Sequence, residues 1–159
     1  MSAIDTNLVI SGLICLIAAG AEGVLAGGDV RRALAEIRQP SWALPLRGWI
    51  AVGLAYYAVC FFVLWRLLEA GLERTEVIAS FALLVAIMAA NAAFNWLFFR
   101  KRDFRASFWF FVPYAVLVAG LIALLSRIDL PSMAAVAVYA AYLPYALAWS
   151  LFVWRLNAR

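Results

Sequence analysis

No histidine occurs in the 159 residues. Its absence removes the commonest metal and haem ligand and every Ser-His or Cys-His nucleophile. Cysteine is nearly absent as well. Cys15 and Cys60 both lie inside apolar runs, where they read as small buried hydrophobes and supply no disulfide framework. Charge is scarce: 14% of the residues are charged, against about a quarter in soluble domains. These shortages leave no expected metal site, no required cofactor and no catalytic residue. They leave no soluble basic surface for nucleic acid either.

What the chain has instead is apolar length. Hydrophobic residues make up 68% of it, against roughly half in a soluble domain. A hydrocarbon core takes about 20 apolar residues per helix, and five runs approach that length: 8–26, 49–68, 77–99, 106–126 and 130–153. They are too long and too uniformly apolar for the alternating strands of a barrel. The expected fold is therefore an all-α integral membrane protein, a five-transmembrane-helix bundle forming a single domain over 1–159, with the lipid bilayer as solvent. Asp5 stands where a secretory leader would be basic, so the first run is expected to remain as a helix.

The cations are unevenly placed. Arg31, Arg32, Arg38 and Arg47 fall in the first loop, Arg100, Lys101, Arg102 and Arg105 in the third, and Arg155 and Arg159 near the end, ten of the thirteen in all. Arg66, Arg74 and Arg127 fall on the other side, with Glu69, Glu73 and Glu76 beside them. The positive-inside rule then makes the first loop and the C-terminus cytoplasmic and the N-terminus external. A bacterial inner membrane fits this asymmetry.

Within the first run, Gly12, Gly20 and Gly23 suit close helix contact. Glu22 is an ionisable residue inside a span, and two roles stay open for it, a hydrogen-bonded structural one and a place on a cavity wall. Loop 27–48 opens with Gly27-Gly28-Asp29, and Asp29 is placed to cap a short helix over 30–37. Pro40 and Pro45 bracket Trp42, which suits either an interfacial belt or a lid. In the second run Trp49, Gly53 and Tyr57 recur at about helical spacing, and Gly53 leaves room for a crossing helix or a ligand, while Tyr56 and Trp65 read as belt or packing residues. In the third, Ala82, Ala86, Ala89, Ala90 and Ala93 form a small-residue stripe. Asn91 should turn inward, because a carboxamide facing lipid leaves its hydrogen bonds unmade. Phe94 and Phe98 share its side. The fourth run begins Phe108-Trp109-Phe110-Phe111, and Pro113 is expected to kink it. Tyr142, Tyr145 and Trp149 make one aromatic face of the fifth.

Pro40, Trp42 and Pro45 before the second span, and Asn91, Phe94, Phe98 and Phe99 closing the third, follow the patterns Pro-x-Trp-x-Pro-Pro and Asn-x-x-Trp-x-x-x-Phe-Phe. Leu44 replaces one proline and Phe94 the tryptophan. In order and spacing the chain resembles the TspO/MBR family over nearly its whole length. The resemblance implies a five-helix bundle, a homodimer, that binds porphyrins or similar flat apolar ligands beneath the first loop. Carried over position by position, it implies a pocket wall of Trp42, Tyr57, Asn91, Phe94, Phe98, Trp109, Tyr142, Tyr145 and Trp149. Trp49 joins them on its helical phase. Some family members are described as degrading protoporphyrin in light with one tryptophan in the second helix and one in the fifth. Gly53 and Tyr142 stand at those positions here, which argues against carrying the chemistry over.

The expected function is a receptor or carrier for a protoporphyrin-like ligand, in sensing or transport, with Arg38, Arg47 and Arg100 to Arg102 as a rim for ligand carboxylates. Without histidine the better-fitting pigment is metal-free. A light-dependent porphyrin-degrading enzyme and a structural subunit of a membrane complex are the alternatives.

Overall fold

In a computed structural model, residues 3–158 are described. Arg159, counted above among the cations, lies outside them. Five helices are long and apolar enough to cross a membrane. Helix α1 spans Ala3–Ala26, α3 Leu46–Glu69, α4 Thr75–Asn95 and α7 Leu130–Asn157; α5 (Phe104–Trp109) and α6 (Phe111–Leu125) together make the fourth span, and the short α2 (Val30–Glu36) lies between α1 and α3. α1 packs on α3 and α4, α4 on α6, α6 on α7, and α7 on α3, which closes the bundle into a ring.

The helix ends follow local chemistry. Helix α1 begins before the expected run, and Asp5 sits in its first turn, where a carboxylate suits the free N–H groups. It stops at Gly27, whose φ of 82 is the left-handed conformation that favours glycine at a helix end. The Asp29 carboxylate accepts from Arg32 N at 3.0 Å and caps α2. That helix ends at Glu36 because Ile37 is already extended. Asp129 does for α7 what Asp29 does for α2, accepting from Ser132 N at 3.2 Å. It also receives Arg66 Nη2 at 2.5 Å, and Arg66 holds its carboxyl down at about 2.

Two features depart from a plain helix. Helix α4 runs into a π-helical turn, Trp96–Arg100, in which Lys101 N donates to Trp96 O at 3.0 Å. Such wider turns gather at functional sites. The fourth span breaks at Phe110, where α5 gives way to α6, and not at Pro113 itself. Proline has no N–H to offer the carbonyl four residues back, which belongs to Trp109, so the disturbance shows one turn upstream. Helix α7 continues through Pro144.

Within the chain only Gly12 of the α1 glycines meets a neighbouring helix. A side chain added at Gly20 or Gly23 would meet nothing within 4 Å, and Phe61 approaches only Gly12, at 3.9 Å. The neighbours of α1 touch its other face, so these two glycines look outward.

Buried residues form two separate clusters. The larger fills the end of the bundle away from α2 and includes Val63, Leu64, Leu67, Val77, Leu121 and Leu125. The smaller, Leu34, Ile37, Phe98, Trp149 and Val153, fastens α2 onto the ends of α4 and α7.

Candidate functional site

Between the two clusters lies a cavity of about 300 Å³ to which all five spans and α2 contribute. That volume is at the small end of the usual range for ligand pockets, about 300–1,000 Å³. Of the residues expected at the site, Trp49, Asn91, Phe94, Phe98, Tyr142 and Trp149 line it.

The aromatic walls are built from ring pairs. Trp49 and Trp149 have centroids 4.5 Å apart, Phe98 and Trp149 4.9 Å, and Phe94 stacks on Phe98 at 5.7 Å with 21° between planes. These spacings fall in the range where aromatic pairs attract beyond simple burial. Phe98 is fully buried, and it borders the cavity together with Phe99 inside the π-helical turn. Gly53 faces the same space, and a Cβ there would touch nothing within 4 Å. The polar wall is narrow. Asn91 Nδ2 donates to Glu22 Oε1 at 2.7 Å, Asn95 Nδ2 donates back to Asn91 O at 3.0 Å, and the Tyr114 and Tyr139 hydroxyls are 2.6 Å apart. Glu22 therefore fills both roles left open for it: it is hydrogen-bonded, and it lines the cavity.

Four expected residues lie off the wall. Trp42 packs edge-on to Tyr145 and Phe152, both at 5.5 Å, above the cavity in the loop after α2. Tyr145 serves that loop, its hydroxyl accepting from Leu44 N at 3.0 Å. Trp109 is 56% exposed on the outer surface, because the break at Phe110 turns it away while Phe110 and Phe111 turn in. Tyr57 is replaced on the wall by Tyr56. A helix advances about 100° per residue, so Tyr56, seven positions after Trp49, sits roughly 20° from it, and Tyr57 roughly 80°. Tyr56 is buried against Tyr139, with ring centroids 5.3 Å apart, and is no belt residue. The helical angle could have found it in the sequence. Nothing local in the sequence sorts the four aromatics 108–111.

The loop over the cavity is tied down at several points. Arg38 N donates to Asn157 Oδ1 at 3.1 Å, and Asn157 Nδ2 returns a bond to Arg38 O at 2.9 Å. Trp149 Nε1 reaches Gln39 Oε1 at 3.4 Å. On the rim, Glu36 pairs with Arg102 and with Arg32. The hydrogen bond from Arg102, then that from Arg32, holds the Glu36 carboxyl below the usual range. Lys101 Nζ sits 4.9 Å over the Trp96 ring. Among the described residues Arg38, Arg47 and Arg100 are in no ion pair, so part of the expected cationic rim is already engaged and part is free.

Comparison with known proteins agrees with this architecture. The family model of the TspO/MBR family matches residues 11–156. The chain belongs to that family, which makes it an integral membrane protein of a sensory or transport class. No curated protein sequence matched.

Proposed function

We propose that this member of the TspO/MBR family is a receptor or carrier for a planar hydrophobic ligand of the porphyrin type, held in the cavity under α2. The observation that carries the reading is the space itself, about 300 Å³ walled by Trp49, Phe94, Phe98, Tyr142 and Trp149. Flat rings gain most from such walls, through burial and stacking together. A complete tetrapyrrole with its substituents is larger than the space. It would enter by one edge and leave its carboxylates at the basic rim, near Arg38, Arg47 and Arg100. The excess of cations at that end supports a cytoplasmic rim and an external N-terminus in a bacterial inner membrane. The exposed outer face of α1, with Leu13, Leu16, Ile17 and Val24 each more than half exposed, offers a surface for a second copy in a homodimer.

Titration of the purified protein in nanodiscs with metal-free protoporphyrin tests the reading. Saturable quenching of tryptophan emission is expected, weakened about tenfold in Trp149→Ala; quenching that rises linearly with no saturation rejects a site.

Light-driven breakdown of the pigment is the weaker reading. One observation favours it: the Trp49 and Trp149 indoles meet at the cavity wall. Against it, Gly53 and Tyr142 occupy the positions where the degrading relatives carry tryptophan. A Soret band that bleaches no faster with protein than with free tryptophan excludes it.

A further inference from the structure

Glu22 is the cavity's one acidic wall residue. It lies inside the membrane-spanning part of α1. Asn91 Nδ2 satisfies one of its oxygens at 2.7 Å. No ion pair to it exists among the described residues. The groups that bear on it are Asn91 and the Tyr57 hydroxyl, and neither is basic. The tyrosine faces the carboxylate without a well-formed hydrogen bond.

Placing an ionisable carboxyl in hydrocarbon is costly unless something pairs with it. A structural role does not explain the choice. A glutamine at position 22 would accept the same bond from Asn91 with no charge to bury. What the carboxyl adds is a strong, charge-bearing acceptor at the wall of a space that Trp49, Trp149, Tyr142 and Phe94 also line. Aromatic faces attract cations, and aromatic cages are a general device for holding them. A carboxylate and an aromatic cage at one cavity suit the same guest, a flat ring system that carries a proton on nitrogen.

We infer that Glu22 selects the ligand: the cavity favours planar aromatic molecules bearing an N–H donor, above all a cationic one, which donates to Glu22 while its ring lies against the indoles. The inference rests on the reading of the cavity as a site for planar ligands and narrows it.

Two three-ring probes of similar outline separate the possibilities: proflavine, cationic and rich in N–H, and xanthone, neutral with none. Binding is read by tryptophan quenching in nanodiscs of zwitterionic lipid, corrected with protein-free discs. The wild-type protein should bind proflavine at least tenfold more tightly than xanthone, as expected for a charge-assisted hydrogen bond. Glu22→Gln keeps the Asn91 bond, so it should lose about tenfold for proflavine and stay within about twofold for xanthone. If both probes bind with no preference, or Glu22→Gln holds proflavine as tightly as the wild type, the selection by Glu22 is wrong and the planar-ligand site stands. If neither binds the wild type, both readings fall. The wild-type ratio decides the matter even if Glu22→Gln does not fold.

Discussion

The two ends of the bundle are made from the same five helices and could hardly be packed more differently. Away from α2, Val63, Leu64, Val77, Leu121 and Leu125 are each at most 1% exposed, and a gap among Tyr56, Cys60, Leu84 and Val118 measures about 10 Å³. Beneath α2 the helices surround about 300 Å³. Branched aliphatic side chains interdigitate to the density of a crystal. Large rings meeting tilted or stacked, with a glycine at position 53, do not. One end is therefore close-packed and the other hollow, and the helices running through both make the first a frame for the second.

Breaking the frame should have the largest effect. Leu64→Ala, at a fully buried site, is expected to cost about 2–5 kcal/mol. Thermal unfolding in detergent would show it, and ligand affinity at equal folded fraction should not change. A loss below about 1 kcal/mol would mean that the far end relaxes as easily as the hollow one.

Next in size is Asp129, which caps α7 and pairs with Arg66. Asp129→Ala should cost about 0.5–2 kcal/mol for the cap alone. The pH dependence has a definite sign. The folded carboxyl is held at about 2, below its ordinary value of 3.8, so its contribution is complete above about pH 4 and is lost as pH falls through about 2. Melting curves between pH 5 and pH 2 should show that component in the wild type and not in Asp129→Asn.

The smallest effect is expected at Gly53, and it should be favourable. An added Cβ touches nothing within 4 Å, and alanine lowers the entropy of the unfolded chain relative to glycine, so Gly53→Ala should stabilise by about 0.4–1 kcal/mol. A destabilisation would show that the hollow end closes up in solution.

Much of the frame was legible in the chain. Each span is a long apolar run, and such a run has one stable form in lipid. Asp29 caps its helix because that chemistry is complete within four residues. The cavity wall was legible only in part. Asn91, Phe94 and Phe98 lie within about 60° of one another on a regular helix, and the structure keeps them together. Tyr56 was hidden by coarse counting of turns. Phe110 and Phe111 were hidden by a break whose position depends on how the fourth span meets its neighbours.

The sequence alone determined five membrane helices, the Asp29 cap of the short helix α2, the basic end and the family. Those features rest on local chemistry or on composition, which no neighbour has to complete. The tertiary structure decided that the aromatic ends of the spans stand apart and enclose a space. It also brought Glu22 against Asn91, 69 positions along the chain. An unpaired carboxyl gains meaning only from what faces it, and what faces Glu22 comes from other helices.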